Sequence, residues 1–453
     1  MDDPPLTSQD QLLSRVSVVI TTYNHRNRVR QLLQSLERMD FPFRRLDVVV
    51  VDNDSTDGTA QDLAGEYGDR IRLLRNTENL GGSGGFRTGV HYVTTHLANE
   101  YIWILDDDVI VAPTCLTRLL ASASQLQQSR RRWGAIGCLM AKMEEPELTI
   151  EAGARIQWHR GRVLPLQADL PVKHIRPELR PVEYCAAASL LTSKSAVEDV
   201  GFFEDVFIHY DDVDWCYRLQ RKGYGVYCDT RAVIWHVSSR EKPATWVRYY
   251  NVRNFLWLCR RHRPVYLPLL YCKFWRMYWY FRFHGLDSTA KLVASGIRDF
   301  RSGTMGKNRS LEFEAYRPIE ELAAQNLSDT KIGIFKDLDE FSCLNDMLKD
   351  GFWHQATVLL YHPPGRRDDL NSWPGIRWIL PRQQSLFGQL ALCWKQWRLL
   401  QRSSRSVIIG DSFRNNIILP PFRRAYYVNG SIGGFFQAGK RHRGPGNSAG
   451  VGT

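Results

Sequence analysis

The stretch YIWILDDDV, residues 101–109, joins an apolar run to three consecutive aspartates. The apolar part predicts a buried strand, because strands covered on both faces of a sheet are almost wholly hydrophobic. In open α/β sheets ligands bind at the carboxyl ends of the strands, where these aspartates fall. Adjacent carboxylates repel one another, so a hard cation such as Mg²⁺ or Mn²⁺ is expected there. For this motif alone, a solvated turn before Pro113 is the alternative.

Two earlier strands end in the same way. Residues 15–20 (RVSVVI) and 46–51 (LDVVVV) are mostly apolar, and each run is followed by a polar turn and a helical pattern. The turns read TTYN at 21–24 and DNDSTDGT at 52–59. Strands that alternate with helices predict an α/β fold with a mostly parallel, Rossmann-like sheet.

A glycine-rich segment follows the third predicted strand, residues 70–75. Residues 76–89 read NTENLGGSGGFRTG, with four glycines among the five residues 81–85. Such a loop lets the backbone approach a ligand closely, and the amides of a following helix suit an anion. A flexible linker is the alternative. Because this segment and the other three turns share one edge of the sheet, we expect a single crevice.

A second acidic cluster lies at residues 209–215, which read HYDDVDW. Asp211, Asp212 and Asp214 fall in the first turn of a predicted helix. Capping and complementarity to the helix dipole explain one or two such acids, whereas three indicate a functional site. Further on, His236 ends the predicted strand 232–237, where a hydrogen-bonded structural histidine is the alternative to a metal ligand.

The composition limits the class of protein. A chain of 453 residues predicts about two or three domains, and the net charge of +12 favours anionic partners. The nine cysteines include no C-x-x-C pair, which argues against a zinc site or a disulfide framework and fits a reducing cytosol. The acidic N-terminus is unlike a signal peptide, and no run reaches the about 18 apolar residues of a membrane span. We therefore expect a cytoplasmic protein whose membrane contact is peripheral.

Four segments, taken in order, resemble the family 2 inverting glycosyltransferases, which have the GT-A fold. They are residues 18–24, 51–59, 79–86 and 106–108. The resemblance covers about the first 300 residues and, through 79–86, the triple aspartate and 234–236, is greatest to the galactofuranosyltransferases. It implies metal-dependent transfer of galactofuranose from UDP-galactofuranose to a growing, lipid-linked cell-envelope glycan. A rhamnosyltransferase using dTDP-rhamnose and a catalytically silent glycan-binding scaffold are the alternatives.

The resemblance also implies residue roles. The general base is Asp212, with Asp211, His209 and Tyr210 on the acceptor side. The metal, Mn²⁺ or Mg²⁺, is assigned to Asp106, Asp108 and His236, and a neutral imidazole suits Mn²⁺ better. The nucleotide sugar, with a uridine nucleotide favoured, is assigned to Thr21, Thr22, Tyr23, Asn24, Asp52, Asn53, Asn79, Gly81, Gly82, Arg87, Asp106 and Asp107.

Residues 264–310 interleave aromatic residues with cations, among them Lys273, Arg276 and Arg282. This pattern predicts a helix at an anionic membrane surface, on the inner face of the cell membrane. A core helix with snorkelling charges is the alternative. No motif supports a nucleic-acid partner, so none is expected.

The predicted domain boundaries follow from these patterns. A tail at 1–14 precedes a GT-A catalytic domain at 15–263, amphipathic helices at 264–310, a small α/β domain at 311–438 and a disordered tail at 439–453. The C-terminal domain is expected to contain strands near 331–335, 357–361, 376–380, 407–409 and 425–428, and a helix at 386–400.

Overall fold

The computed structural model describes residues 16–40, 42–237, 246–283 and 287–311, together with seven short strands between residues 317 and 438. The chain divides into two compact units. The first contains the described residues of 1–239, 250–271 and 296–310. The second contains those of 240–249, 272–295 and 311–453. The predicted tails at 1–14 and 439–453 lie outside the described residues, and the predicted domain boundaries stay a prediction.

The N-terminal part alternates strands and helices in the expected order. Its elements are β1 (Val16–Thr22), α1 (Arg26–Glu37), β2 (Asp47–Asp52), α2 (Thr59–Tyr67), β3 (Arg72–Arg75), α3 (Gly81–His96), β4 (Tyr101–Asp106), β5 (Val109–Val111) and α4 (Cys115–Gln128). There follow β6 (Trp133–Lys142), β7 (Thr149–Glu151), β8 (Ala154–Gln157), β9 (Arg162–Pro165), β10 (Leu179–Pro181), β11 (Ser189–Ser193), α5 (Lys194–Val200), α6 (Asp211–Arg221) and β12 (Gly225–His236). Three helices come next: α7 (Val247–His262), α8 (Leu267–Phe283) and α9 (Asp287–Ser302).

The main sheet of the first unit is mostly parallel, as the sequence predicts. Its strand order is β10-β12-β6-β11-β4-β1-β2-β3, with β5 paired to β12 and β7 paired to β6. Strands β3, β2, β1 and β4 are mutually parallel. The antiparallel strand β11 then joins β4 to β6, which is parallel to β12. The predicted α/β fold class with a mostly parallel sheet is therefore confirmed.

Both faces of this sheet are covered, which explains the continuous apolar runs. On one face, alternate residues such as Val18 and Ile20 pack with α1 and α4. On the other face, Val19 packs with Phe86 and Val90 of α3. The period of two along β1 thus divides its side chains between two layers of helices.

Two local predictions were wrong. The glycine-rich segment is not a loop through residue 89, because α3 begins at Gly81. The predicted strand 232–237 is not a separate strand but the second half of β12, which has a register shift against β6 between Asp229 and Val233. This irregularity lets a 12-residue strand continue to His236 at the site edge.

The second unit contains its own sheet. Its strands are β13 (Arg317–Pro318), β14 (Ile332–Phe335), β15 (Thr357–Leu360), β16 (Arg377–Ile379), β17 (Val407–Gly410), β18 (Ala425–Asn429) and β19 (Gly434–Ala438). The order is β13-β19-β18-β17-β14-β15-β16, and the five strands from β18 to β16 are parallel. Strands therefore occur at all five predicted positions, while the predicted helix at 386–400 lies outside the described residues.

Among the described helices, none combines the length and the apolar character that crossing a bilayer demands.

Candidate active site

The three residues predicted to bind a metal lie together. β4 ends at Asp106, and β5 begins at Val109 and pairs antiparallel with the end of β12, so that Val109 faces His236. This register brings the imidazole to the acidic turn. His236 Nε2 lies 3.2 Å from Asp108 Oδ1 and 3.9 Å from Asp106 Oδ2.

The donor set fits a divalent cation. One ligand atom from each of Asp106, Asp108 and His236 lies within 4.8 Å of the other two. The Asp108 carboxylate is buried, and Arg28 Nη1 approaches it at 3.6 Å. Two carboxylates and an imidazole are ligands that Mn²⁺ accepts, and a cation would neutralise the charge collected there. Mn²⁺ and Mg²⁺ remain the proposed ions.

The middle aspartate of the triplet is engaged elsewhere. His25 Nδ1 lies 3.0 Å from both carboxylate oxygens of Asp107. This hydrogen bond raises the pKa of His25. The predicted contact of Asp107 with the nucleotide sugar stays a prediction, and the structure uses Asp107 to fix the start of α1.

Asp212, the predicted base, lies at the start of α6 and is held by three donors. Its Oδ2 accepts from the Tyr184 hydroxyl at 3.0 Å and from the Ala187 amide at 3.1 Å. Its Oδ1 accepts from the Val213 amide at 2.8 Å. Burial raises the pKa of Asp212, while these donors oppose that rise. A carboxylate whose pKa lies above its ordinary value is a better proton acceptor.

Glu151, at the end of β7, is a site residue that sequence reasoning missed. Burial and the nearby charge of Asp212 raise the pKa of Glu151 to about 7, and His236 opposes this rise. β7 pairs with the end of β6, and β6 pairs with the end of β12, so Glu151 and His236 lie at the same edge of the sheet. The Ala187 amide donates to Asp212, and the adjacent Ala188 carbonyl accepts from the Asp106 amide at 3.3 Å, so the predicted base lies beside the metal cluster. A lone glutamate on a three-residue strand carries no sequence signal for this role.

The other acids of α6 differ from each other. Asp211 is buried, and burial together with the charge of Asp212 raises its pKa well above the ordinary range. Asp214 points away into a structural network. Burial alone would raise its pKa, but hydrogen bonds from His262 at 2.7 Å and Arg218 at 2.7 Å hold the pKa below its usual value.

The turns after β1 and β2 interlock. The Asn24 amide donates to Ser55 Oγ at 2.9 Å, and Asn24 Oδ1 accepts from the Thr56 amide at 2.8 Å. Asp52 is fully buried and accepts from the Ser55 amide at 3.2 Å, while Arg75 Nε lies 3.5 Å from its carboxylate. Asn24 and Asp52 therefore shape the turn through contacts with the chain itself, and their predicted contacts with a nucleotide stay a prediction.

Asn53 ties three elements together. Its Nδ2 donates to Thr21 Oγ1 at 3.2 Å and to the Gly81 carbonyl at 3.0 Å, and its Oδ1 accepts from Asn76 at 2.7 Å. These hydrogen bonds use both ends of the Asn53 amide to hold the neighbouring turns together. Its predicted contact with the nucleotide sugar stays a prediction. Thr22 is buried, and its hydroxyl has no protein partner in the described structure. Tyr23 is exposed at the rim of the crevice.

The glycines of α3 mainly serve close packing. A Cβ on Gly85 would lie 2.0 Å from Thr21 Oγ1, and a Cβ on Gly89 would lie 2.4 Å from Val19 Cγ1. Gly81 has φ of +71° and accepts no side chain, because its Cβ would meet the Phe207 carbonyl at 2.1 Å. Gly82 alone of this group has open space around it.

Two further residues were assigned to the nucleotide sugar: Asn79, which precedes α3, and Arg87 within it. Asn79 Oδ1 accepts from the Gly81 amide at 2.8 Å and so caps the first turn. Arg87 lines a groove of about 630 Å³ together with Glu198 and Phe202, and neither the metal cluster nor Asp212 lines that groove. The sequence expectation that Arg87 contacts the nucleotide sugar stays a prediction.

The two predicted acceptor residues before α6 have left-handed backbone. His209 has φ of +65° and is exposed, and Tyr210 has φ of +70° and forms the N-cap of α6. Non-glycine residues rarely adopt this conformation, and such positions concentrate at functional sites.

Comparison with known proteins gives one family match. Residues 17–129 match the model of the family described as Glycosyl transferase family 2. An N-acetylglucosaminyl-diphospho-decaprenol L-rhamnosyltransferase of Mycobacterium tuberculosis is 26% identical over 275 residues, which cover 54% of this chain and 84% of that protein. Galactofuranosyltransferase GlfT2 of Mycolicibacterium smegmatis is 23% identical over 271 residues, which cover 55% of this chain and 41% of that protein. Among solved structures, mannosyltransferase PcManGT from Pyrobaculum calidifontis in complex with GDP-Man and Mn²⁺ has a TM-score of 0.39 and 18% identity, covering 64% of this chain and 83% of that chain.

Proposed function

Residues 17–129 form a glycosyl transferase family 2 domain, and we propose that this enzyme transfers a hexosyl residue from a nucleotide sugar to a cell-envelope glycan. The observation that carries the proposal is the convergence of Asp106, Asp108 and His236 beside Asp212, because residues 187 and 188 bond to Asp212 and to Asp106. A cation site for a diphosphate and a separate carboxylate base are the two parts that such a transfer requires.

The chain's own residues have distinct parts in the mechanism. Asp106, Asp108 and His236 would hold Mn²⁺ or Mg²⁺, which when bound neutralises charge on the donor's diphosphate. Asp212 takes the proton from the attacking acceptor hydroxyl. Tyr184 and the Ala187 amide orient Asp212 Oδ2 through their hydrogen bonds. A single base without an enzymatic nucleophile gives one displacement and therefore inversion at the anomeric carbon.

For the donor, we propose UDP-galactofuranose. The motifs at 79–86, 106–108 and 234–236 favour it, and a galactofuranosyltransferase is among the relatives. The second candidate is dTDP-rhamnose. It is favoured by the match to a rhamnosyltransferase, which spans 84% of that relative.

The acceptor is proposed to be lipid-linked, which requires the enzyme to work at a membrane. Helix α8 exposes large apolar side chains: Trp275 is 41% exposed and Trp279 is 53% exposed. Arg276 and Arg282 are exposed on the same helix, and residues 267–283 include no acidic residue. Tryptophan and arginine together suit the head-group region of an anionic bilayer. We therefore propose peripheral attachment on the cytoplasmic face.

The test of this function is a donor screen on the purified chain. UDP-galactofuranose, dTDP-rhamnose, UDP-galactose and UDP-glucose are each supplied with Mn²⁺, and release of the nucleoside diphosphate is measured. One donor should be consumed, and EDTA or Asp108→Ala should abolish its consumption. As the control for folding, Asp108→Ala should change the thermal unfolding midpoint of the metal-free protein by no more than a few degrees. Full activity in EDTA would refute the metal assignment, and consumption of none of these donors would refute the donor class.

A further inference from the structure

The loop that leads into α6 has a strained backbone. Three of its non-glycine residues have positive φ: Phe207 at +71°, His209 at +65° and Tyr210 at +70°. Left-handed backbone is unfavourable for residues with a Cβ, so it persists only where the surroundings impose it. The loop ends one residue before Asp211 and two before Asp212, so its conformation sets the position of both carboxylates.

Two adjacent side chains of α7 hold the carbonyls of this loop. Asn254 Nδ2 donates to the carbonyls of Val206 at 3.1 Å, Ile208 at 2.7 Å and His209 at 3.2 Å. Arg253 Nη2 donates to the same Val206 carbonyl at 2.9 Å. Arg253 is itself oriented, because its Nε donates to Asn254 Oδ1 at 2.9 Å and its Nη1 to the Gly306 carbonyl at 2.8 Å. Both side chains are fully buried.

The opposite side of the loop is fixed by α3. The Phe207 carbonyl accepts from the Ser83 amide at 3.2 Å, and it fills the space where a Cβ of Gly81 would be. The carbonyls of residues 206–209 are thus all bonded, three to α7 and one to the first turn of the glycine-rich helix. The loop therefore joins the helix proposed to face the donor to the helix that carries the base.

We propose that Arg253 and Asn254 are positioning residues for the acceptor step: they hold the loop of residues 207–210, with its three left-handed residues, and thereby place Asp212 for proton removal. Both side chains act through the backbone of the loop and not by contact with a substrate. The inference rests on the proposed function, since the effect concerns transfer. A displacement of about 1 Å at a base can cost on the order of 10²-fold in rate, so the loss of this support should affect chemistry more than donor binding.

The test compares Asn254→Asp with wild type. This change keeps the size of the side chain but turns a donating amide toward carbonyls as a repelling carboxylate. Arg253→Lys is the milder second variant, because it keeps the charge and loses the planar fork. Arg260→Met is the matched control on the same helix, where Arg260 is exposed and lies over the Phe300 ring at 4.6 Å.

Three quantities are measured at a temperature where each variant is folded by circular dichroism. They are the affinity for UDP with Mn²⁺, the rate of transfer to octyl glycosides of galactofuranose, rhamnose and N-acetylglucosamine, and amide hydrogen exchange of residues 204–214. For Asn254→Asp we expect transfer to fall about 10²-fold, UDP affinity to change less than about threefold, and exchange to accelerate in that segment. Arg253→Lys should show the same pattern with a smaller loss of transfer, and Arg260→Met should match wild type.

The proposal is overturned if folded Asn254→Asp transfers at the wild-type rate, if exchange in 204–214 is unchanged, or if UDP affinity and transfer fall in the same proportion. The last result would mean that the pair only supports the fold. If the wild-type protein itself consumes no donor, the proposed function fails. Hydrogen exchange of residues 204–214 in the variants then still tests whether Arg253 and Asn254 hold the loop.

Discussion

Tyr184 donates a hydrogen bond from its hydroxyl to Asp212 Oδ2 over 3.0 Å, on the oxygen that also accepts from the Ala187 amide. Burial raises the pKa of Asp212, and these donors oppose that rise by stabilising the carboxylate. Two opposing effects thus set the pKa of this proposed base. The proposed mechanism requires the ionised form of Asp212, so we expect activity above the pKa of Asp212 and its loss as the pH falls through that pKa.

Tyr184→Phe removes one of the two donors to Oδ2 and should raise the pKa of Asp212 further. A hydrogen bond to a charged group contributes about 1.5–3 kcal/mol, and one pKa unit corresponds to about 1.4 kcal/mol. The acid limb of kcat/KM should therefore move upward by about one to two pH units. A pH–rate profile measures this shift, and a limb that stays in place or moves to lower pH would contradict it.

Asp212→Asn removes the base itself while keeping the size of the side chain. Turnover should fall by about 10²-fold or more, with the affinity for UDP and Mn²⁺ nearly unchanged. The matched variant is Asp211→Asn, which changes the neighbouring buried acid. If Asp212→Asn stays active and Asp211→Asn does not, the base has been misassigned by one residue.

Glu151→Gln should stabilise the metal-free protein at high pH. Burial and the charge of Asp212 raise the pKa of Glu151 to about 7, so folding favours its protonated form. The cost of the ionised form is absent below the ordinary pKa of 4.5 and complete above about 7, where it amounts to at most about 3.5 kcal/mol. The difference in unfolding midpoint between variant and wild type should therefore grow from pH 5 to pH 8 in EDTA, and a constant difference would refute this account.

Gly85→Ala and Gly82→Ala compare a glycine of α3 that serves close packing with one that has open space around it. At Gly85 a Cβ would lie 2.0 Å from Thr21 Oγ1 and 2.7 Å from Asn53 Nδ2, both of which are buried. Such overpacking costs about 1–3 kcal/mol, so the unfolding midpoint should fall by several degrees. Gly82 has no atom within 4 Å of its Cβ position, so its midpoint should stay within about one degree of wild type. Equal midpoints for the two variants would contradict the packing account.

These contrasts show what the sequence could predict. The strands and their acidic or polar ends were predictable, because buried parallel strands are continuous apolar runs that end where the turn residues begin. The uses of the glycines were not, because the sequence gives their number but not which Cβ would meet Thr21 or Phe207. Glu151 was missed, since only the pairing of β7 with β6 brings it to the crevice. The sequence could not distinguish Asp214 from Asp211 and Asp212, because its hydrogen-bond partner His262 lies 48 residues away in the chain.

Helix α8 supports the last prediction, attachment to anionic membranes. The buried side of the helix includes Leu270, Phe274 and Phe281, and the exposed side includes Leu269, Trp275 and Trp279. A helix that is apolar on both sides either packs on both sides or lies in a membrane interface. Each cation near an anionic surface adds about 1 kcal/mol, and burial of the tryptophans in the head-group region adds to that.

The triple variant Lys273→Glu, Arg276→Glu, Arg282→Glu should lose flotation with vesicles that contain phosphatidylglycerol, and wild-type binding should weaken with added salt, because screening shortens the reach of each charge. The variant Arg44→Glu, Arg131→Glu, Lys173→Glu reverses three exposed cations outside α8 and changes the net charge equally, so it separates a local from a general charge effect. Transfer to a lipid-linked acceptor should fall in the α8 variant alone, while transfer to a short octyl glycoside survives in both. Trp275→Ala with Trp279→Ala should weaken binding even at high salt, because the apolar contribution is not screened. If the charge-reversed α8 variant floats as wild type does, the helix is structural and the basic surface has another partner.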